Sequence, residues 1–396
     1  MYKNKLNKLT LQEIWEANNM QFKDIIGHSE AIQKLKEMAD RKMMPHALLL
    51  HGPSGIGKHR LARAFISYLN CKSHIDSDSC GHCPACVQTA SFNNPDIHYI
   101  YPVIKKNSPS RNISSDYAEE WTEYVRNHSY MPEQEWLNCL DAGNSRPIIY
   151  VAESEEILRL SSLSTYGAGY KIFLIWQPEK MSSEAANKLL KVIEEPFEDT
   201  LFIFVSDNPG EILPTIRSRL QTIEMKALTE DSLTDFFMNS GKTAQEARSL
   251  AKIAKGNMNR AYRLIENDGE LHEFTTLFIT VMRACYGRKM VELKGLADSF
   301  ASYGREKSLR LLDYFARMVR ESFISNLHIE SLQAMTPDEI SFVEKFGPFI
   351  NASNIEEISS QIDRAANDIS RNANQKIVWF DFLIELCRLI RTNRTQ

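Results

Sequence analysis

The chain has 396 residues and a formal net charge of −4, with 47 Lys and Arg against 51 Asp and Glu. At roughly 150 residues per domain this length predicts two or three domains, and 43% hydrophobic with 25% charged residues excludes a disordered or fibrous chain. A weakly acidic chain does not wrap nucleic acid over its whole surface, so DNA contact would need a local basic face or partner subunits. The sequence has neither an apolar run of roughly 18 to 20 residues nor a signal-peptide core, which predicts a cytoplasmic protein.

The first part of the chain predicts the start of an α/β domain. Residues 1–20 are polar and weakly helical and are interpreted as an N-terminal extension. The apolar strand at 47–51 leads into a glycine-rich loop, and the helix that follows has one apolar face. Residues 96–103 again have strand character. Residues 105–147 are polar, contain many Asn, Ser, Glu and aromatic residues, and are interpreted as an insertion.

Further strands are predicted at 148–152, at 171–176 (KIFLIW) and at 201–206 (LFIFVS). Helical segments separate them. The segment SSEAANKLLKVIEEP has apolar residues at i, i+3, i+4 and i+7, and Pro196 ends it. Alternating strands and helices predict a parallel sheet with helices on both faces.

After residue 225 only helical patterns follow, which predicts three domains. They are an α/β domain at 21–225, a small helical domain at 226–268 and an all-α domain at 269–396. The α/β domain includes a cysteine module at 71–86 and the insertion at 105–147. The last helical segment carries an apolar stripe, interpreted as core or as the seam for a partner helix, at Trp379, Phe382, Leu383, Leu386 and Ile390.

The loop GPSGIGKHR matches the phosphate-binding pattern G-x-x-x-x-G-K up to its last position, with Gly52, Gly55, Gly57 and Lys58. A strand leads in and a helix leads out, so backbone N–H groups could surround phosphate oxygens while Lys58 reaches the β and γ positions. The pattern then requires Ser or Thr to hold magnesium. His59 stands there instead and cannot supply that small, hard oxygen.

The acidic residues that such a loop needs for hydrolysis are also absent from the expected strand end. The strand KIFLIW ends in Trp176 and Gln177 where carboxylates would hold magnesium and polarise water. Glu179 comes two residues later and is expected at the surface. The sequence therefore predicts no ATP hydrolysis and leaves ATP binding doubtful.

Four of the seven cysteines, Cys71, Cys80, Cys83 and Cys86, have the spacing C-x8-C-x2-C-x2-C. Four thiolates can surround one Zn²⁺ tetrahedrally in a closed, structural site. An iron–sulfur cluster and a metal-free cluster are the alternatives, and His74 and His82 are spare candidate ligands. The other three cysteines, Cys139, Cys285 and Cys387, lie among apolar residues and are expected to be buried thiols.

Several motifs together resemble the delta-prime subunits of the bacterial DNA polymerase III clamp loader, within the AAA+ superfamily. They are FKDIIGHSEAIQKL, PHALLLHGPSGIGK, the four-cysteine cluster, EAANKLLKVIEEP and ILPTIRSRL. They span about residues 22–103 and 171–225, GNMNRAYRLI resembles the family's lid domain, and the helical tail is similar in type to its collar domain. Residues 1–20 and 105–147 match nothing in the family.

The resemblance implies an AAA+ α/β nucleotide-binding-type domain, a lid and an all-α collar. It implies a subunit that joins delta and gamma/tau-type subunits in a pentameric ring, which opens the sliding clamp and places it on primed DNA. Family members commonly have degenerate nucleotide sites. The family's Ser-Arg-Cys motif falls on Ser218 and Arg219, with Leu220 at the third position, and its arginine acts in trans as a finger on the ATP of a neighbouring subunit.

Some alternatives stay open at the level of sequence. Arg260 corresponds to the nucleotide-sensing arginine of active relatives, and a capping or packing role is the alternative. Arg217 is interpreted as structural. The competing functions are an active AAA+ ATPase of another DNA-processing complex, disfavoured by His59 and the missing carboxylates, and a redox or iron–sulfur protein.

Overall fold

The computed structural model describes residues 20–105, 112–143, 145–167, 169–266, 268–329 and 333–390. Except for Met20, the expected N-terminal extension lies outside these residues. The described residues form two compact units: the first comprises the described residues up to Ser232 together with Gly256–Arg260, and the second comprises Leu233–Lys255 and the described residues from Ala261 onward. The domain boundaries expected near residues 225 and 268 stay predictions.

The first unit is built on a five-stranded sheet whose neighbouring strands are all parallel, as predicted. The strand order is β2-β3-β4-β1-β5. The strands are β1 (Ala47–His51), β2 (Ile97–Ile100), β3 (Lys171–Trp176), β4 (Thr200–Ser206) and β5 (Gln221–Glu224). The strand expected at 148–152 is wrong, because Ile148 and Ile149 form only isolated bridges and a helix begins at Val151.

Helices cover both faces of this sheet. Side chains of a strand alternate between its faces, so Leu174 packs in one apolar cluster with Phe65 of α2, whereas Phe173 packs in another with Leu189 of α7. The helices of this part are α1 (Ser29–Asp40), α2 (Lys58–Asn70), α3 (Pro84–Ala90), α4 (Ala118–Asn127), α5 (Glu133–Cys139), α6 (Val151–Ser161), α7 (Ser183–Glu194) and α8 (Pro214–Arg217).

The polar stretch at 105–147 contributes to the core of the first unit through its aromatic side chains. Trp121, Tyr124 and Trp136 are buried in the same cluster as Leu174. The ring of Trp121 stacks on Tyr101 with centroids 3.9 Å apart, and Trp136 donates its indole N–H to the carbonyl of Pro102 over 2.8 Å. The described part of the insertion is therefore packed tightly onto the sheet domain.

The remaining helices are α9 (Glu230–Asn239), α10 (Ala244–Ala254), α11 (Met258–Glu266), α12 (Asp268–Gly287), α13 (Met290–Ala301), α14 (Arg305–Asn326), α15 (Pro337–Phe346), α16 (Ile355–Ser370) and α17 (Gln375–Leu389). The apolar stripe of the last helix lies in the core of the second unit, which favours the first of its two interpretations. Cys285 and Cys387 are buried as expected, whereas Cys139 is only half-buried. No helix among the described residues combines the length and apolarity that a membrane crossing requires.

Candidate functional site

The glycine-rich loop lies between β1 and α2, as the motif predicts. Its glycines are required by close contacts within the chain itself. A Cβ on Gly52 would lie 2.0 Å from the carbonyl oxygen of Met225, and Gly55 has φ of +73° with the Asn257 side chain 2.4 Å from where its Cβ would be. Any other residue at these two positions would displace backbone or side-chain atoms.

The ammonium group of Lys58 is occupied by groups of the chain itself. Lys58 is buried, and its Nζ donates to the carbonyls of Gly52 over 2.8 Å and Pro53 over 2.5 Å. It also forms an ion pair with Asp207, with Nζ 2.6 Å from Oδ1. Burial lowers the pKa of Lys58 and the Asp207 carboxylate opposes that effect. A phosphate would have to compete with Asp207 for this cation.

Residues of the insertion close the space in front of the loop. A cavity of about 20 Å³ remains, lined by loop residues and by Tyr130, Met131, Trp176 and Asp207 among others. This volume is comparable to that of one water molecule, whereas pockets for drug-sized ligands and cofactors measure roughly 300–1,000 Å³. The cavity at the loop is therefore much smaller than the pockets that hold ligands of that size.

The segment Gly256–Arg260 holds the loop from a second side. Asn257 donates its side-chain N–H to the carbonyl of Ser54 over 2.9 Å, and the backbone N–H of Met258 donates to the carbonyl of Gly55 over 2.8 Å. Asn259 donates to the carbonyl of Tyr130 over 3.1 Å and so joins this segment to the insertion. The side chain of Arg260 is exposed, and its backbone N–H donates to Asn257.

The three positions that depart from an ATPase motif all contact the insertion. His59 is buried with its ring edge-on to Trp121 at 5.8 Å between centroids. Trp176 lies 5.4 Å from Trp121, again between ring centroids. Gln177 donates to the carboxylate of Glu133 at the start of α5 over 3.2 Å. These side chains therefore hold the insertion over the loop.

The ionisation of His59 and Glu179 at this site follows from their burial. Burial, with a smaller contribution from Arg63, holds the pKa of His59 well below 6.5, so the imidazole is neutral at pH 7. Glu179 is expected at the surface, but that expectation is wrong, because it is half-buried beside Asp207. Burial raises its pKa.

Sequence reasoning missed three residues that shape this site. Tyr130 belongs to no motif, and Asn257 lies in GNMNRAYRLI, which gives no sign of a contact with the loop; both reach the loop only through the fold. Asp207 had a usable signal, since it directly follows β4, which pairs with β1. The carboxyl ends of neighbouring parallel strands meet at one edge of a sheet, so a polar residue after β4 is placed beside the loop after β1.

Arg219 lies just after α8, away from the buried loop residues, and about a third of its side chain is exposed. Its Nε donates to Glu194 Oε1 over 2.5 Å, and its Nη1 donates to the carbonyl of Thr215 over 2.6 Å. The hydroxyl of Ser218 donates to the same carbonyl over 3.2 Å. Leu220 is buried and anchors this turn. The guanidinium is thus held at the surface by one carboxylate and one carbonyl.

The four clustered cysteines come together, with all four sulfur atoms within 4.8 Å of one another. Backbone N–H groups point at two of the sulfurs, from Cys80 to Cys71 over 3.2 Å and from Cys83 to Cys80 over 3.3 Å. Burial acts to raise the pKa of Cys83, but N–H donors from Cys86 and Lys72 outweigh it and lower that pKa to about 6. Closely spaced sulfurs that receive N–H bonds suit a metal bound by thiolates.

The cysteine module also anchors the start of the described chain. Asp78 accepts from the backbone N–H groups of Phe22 over 3.2 Å and Lys23 over 3.0 Å. The spare candidate ligands face backbone carbonyls instead of the cluster: His74 is bonded to Tyr68 and His82 to Cys80. A closed four-cysteine site at this place would fix the excursion between α2 and α3.

Comparison with known proteins adds to this geometry. Residues 27–229 match the family described as DNA polymerase III, delta subunit. The delta-prime subunit of DNA polymerase III from Pseudomonas aeruginosa is 29% identical over 46% of this chain and 44% of its own length. The delta-prime subunit from Bacillus subtilis is 23% identical over 68% of each chain.

The gamma/tau subunit of DNA polymerase III from Mycobacterium tuberculosis is 27% identical over 50% of this chain and 27% of its own length. The match thus spans less than half of the Pseudomonas and Mycobacterium proteins. The family match covers more than half of the present chain. The chain therefore belongs to the family described as DNA polymerase III, delta subunit.

Proposed function

We propose that this chain is the delta-prime subunit of a DNA polymerase III clamp loader. In this role it assembles with delta and gamma/tau-type subunits, helps to open the sliding clamp and helps to load it on primed DNA. The observation that carries the proposal is the family match over residues 27–229, together with relatives named as delta-prime subunits. A gamma/tau relative of similar identity supports the same kind of assembly.

Within the complex, this subunit neither hydrolyses ATP nor binds it at its own loop. The support is the cavity of about 20 Å³ at the loop and the ion pair between Lys58 and Asp207. His59 and Gln177 cannot replace the missing hydroxyl and carboxylate, and both contact the insertion. The glycines and Lys58 therefore serve the packing of this domain.

Arg219 is donated in trans to ATP bound by a neighbouring subunit. A guanidinium is always charged and offers a planar fork of donors to the charge that develops on the γ-phosphate. The support in this chain is its exposure and its attachment to the exposed carboxylate of Glu194, a partner that solvent and a phosphate can displace. Ser218 fixes the turn that presents it.

Cys71, Cys80, Cys83 and Cys86 bind one structural Zn²⁺. Four sulfur ligands leave no position for water, which argues against a catalytic metal. The ion would hold the excursion after α2, and with it the contacts of Asp78 to Phe22 and Lys23.

The first test is ATP turnover by the purified chain alone and after mixing with the other loader subunits, clamp and primed DNA. We expect no turnover by the chain alone and clamp loading by the mixture. Turnover by the isolated chain would contradict the inference that His59 and Gln177 prevent ATP hydrolysis. The chain would then be an active ATPase of another DNA-processing complex.

A further inference from the structure

Arg63, on α2, is buried inside the first unit with only 3% of its surface exposed. It does not line the cavity at the phosphate loop. Its guanidinium lies over the ring of Phe92, with Cζ 4.4 Å from the ring centroid. This contact covers one face of the planar group, so the N–H donors along its edges still need partners.

Two of these donors, Nε and Nη2 of Arg63, are buried and have no hydrogen-bond partner among the residues that the structure describes. Together they form the side of the guanidinium that grips two oxygens at once. The same side of Arg310 holds the Glu270 carboxylate, with Nε at 2.9 Å and Nη2 at 2.8 Å. Arg159 holds Glu156 in the same way. The same two donors of Arg63, called its fork below, face no carboxylate among the described residues.

The surroundings of Arg63 increase the need for negative charge. Arg60 and Arg126 lie near Arg63, and their positive charges repel its guanidinium. His59, one helical turn earlier, is neutral. The Tyr99 hydroxyl lies beside the guanidinium and interacts favourably with its charge, although the geometry falls short of a hydrogen bond and the hydroxyl is buried without another partner in the described part of the chain. A buried, unpaired arginine is strongly destabilising, because the group cannot release its proton in a protein.

We propose that the fork of Arg63 binds a small inorganic oxyanion, phosphate or sulfate. Two of its oxygens accept from Nε and Nη2, and the Tyr99 hydroxyl donates to a third. Arg60, whose Nε is likewise buried without a partner in the described residues, and Arg126 contribute positive charge. The ion joins α2, β2 and α4, and so fastens the insertion to the sheet domain at a place separate from the phosphate loop.

The test measures anion retained by the full chain. The protein is purified with phosphate and sulfate present and exchanged into a gluconate buffer. It is then unfolded, and released anions are measured by ion chromatography. We expect about one equivalent of phosphate or sulfate per chain from the wild type and from Arg41→Met, a control at an exposed arginine, and none from Arg63→Met. Release of no oxyanion from the wild type, or equal release from Arg63→Met, overturns the proposal.

A second readout is needed in case Arg63→Met does not fold. The Tm of the wild type is measured in inorganic phosphate and in sodium chloride at the same ionic strength. Phosphate should raise the Tm saturably, and Tyr99→Phe should need more phosphate for the same rise in Tm. A crystal soaked in selenate should show an anomalous peak at hydrogen-bond distance from Nε and Nη2 of Arg63. A water molecule or a chloride at the fork, or identical phosphate curves for wild type and Tyr99→Phe, contradicts the site.

Discussion

Glu153 links the insertion to the sheet domain through a buried carboxylate, and we predict that its ionisation weakens the fold as pH rises. It lies on α6 with 2% of its surface exposed, and its Oε2 accepts from the backbone N–H of Ser114 over 2.5 Å. Burial raises the pKa of Glu153 from 4.5 to about 7, although the bonds from Ser114 oppose this. The folded chain therefore holds this proton more tightly than the unfolded chain.

The sign and size of the effect follow from this difference in pKa. Between pH 4.5 and pH 7 the unfolded chain loses the proton while the folded chain retains it, so the free energy of unfolding falls as pH rises and levels off above about pH 7. A pKa rise of this size changes the free energy of unfolding by about 3 kcal/mol. Glu153→Gln keeps an oxygen acceptor for Ser114 and cannot ionise, so its stability relative to wild type should increase from pH 5 to pH 8.

Urea unfolding at pH 5, 6, 7 and 8, followed by tryptophan fluorescence, measures this difference, because Trp121 and Trp136 report on the insertion. The control is Glu156→Gln on the same helix. Its ion pair with Arg159 lowers the pKa of Glu156, so its contribution is already complete at pH 5, and that variant should be less stable than wild type by an amount that changes little from pH 5 to pH 8. Wild type and Glu153→Gln with parallel pH profiles would refute the reasoning.

Three further predictions concern the proposed activity. Arg219→Ala should lower ATP turnover of the assembled loader without preventing assembly, because an arginine finger contributes roughly 10³–10⁵-fold to the rate at the site it serves. The control is Arg217→Ala, which removes a hydrogen bond to the Pro209 carbonyl. Unchanged turnover in Arg219→Ala would contradict the arginine-finger assignment. Cys83→Ser should lose zinc and unfold at a lower temperature, as measured by metal analysis and calorimetry. The control Cys139→Ser should retain one equivalent of zinc per chain. Zinc retained in Cys83→Ser would exclude the proposed ligand set. Tyr130→Ala should open the loop to a fluorescent ATP analogue that the wild type does not bind. The double variant Tyr130→Ala with Lys58→Met should bind none. Equal binding by the two variants would show that the analogue binds away from the loop.

Much of the fold could be predicted because its signals are local. The runs KIFLIW and LFIFVS are buried along their whole length, as β3 and β4 are in the sheet, and such runs are typical of parallel strands. The strand expected at 148–152 failed for an equally local reason. Pro147 precedes two apolar residues that are too few for a strand, and Val151 already starts α6.

The closure of the loop could not be predicted, because it depends on contacts between distant parts of the chain. Tyr130 reaches the loop only because Trp121 and Trp136 pack beneath the insertion. In the sequence Tyr117, Trp121, Tyr124 and Val125 have the spacing of a core-facing helix, but that spacing does not say which surface the helix covers. Asn257 follows a helix more than two hundred positions after the loop and still bonds to Ser54.

The phosphate-binding motif is therefore weak evidence for nucleotide binding in this chain. Gly52 is required by the Met225 carbonyl and Gly55 by Asn257, and both requirements hold without a phosphate. The motif's lysine has a structural use as well, since Lys58 neutralises Asp207 and donates to the carbonyls of Gly52 and Pro53 in its own loop. The informative positions are those that break the pattern. His59, Trp176 and Gln177 have one feature in common, contact with the insertion, so the changes that remove the hydrolytic groups also supply the contacts that cover the loop.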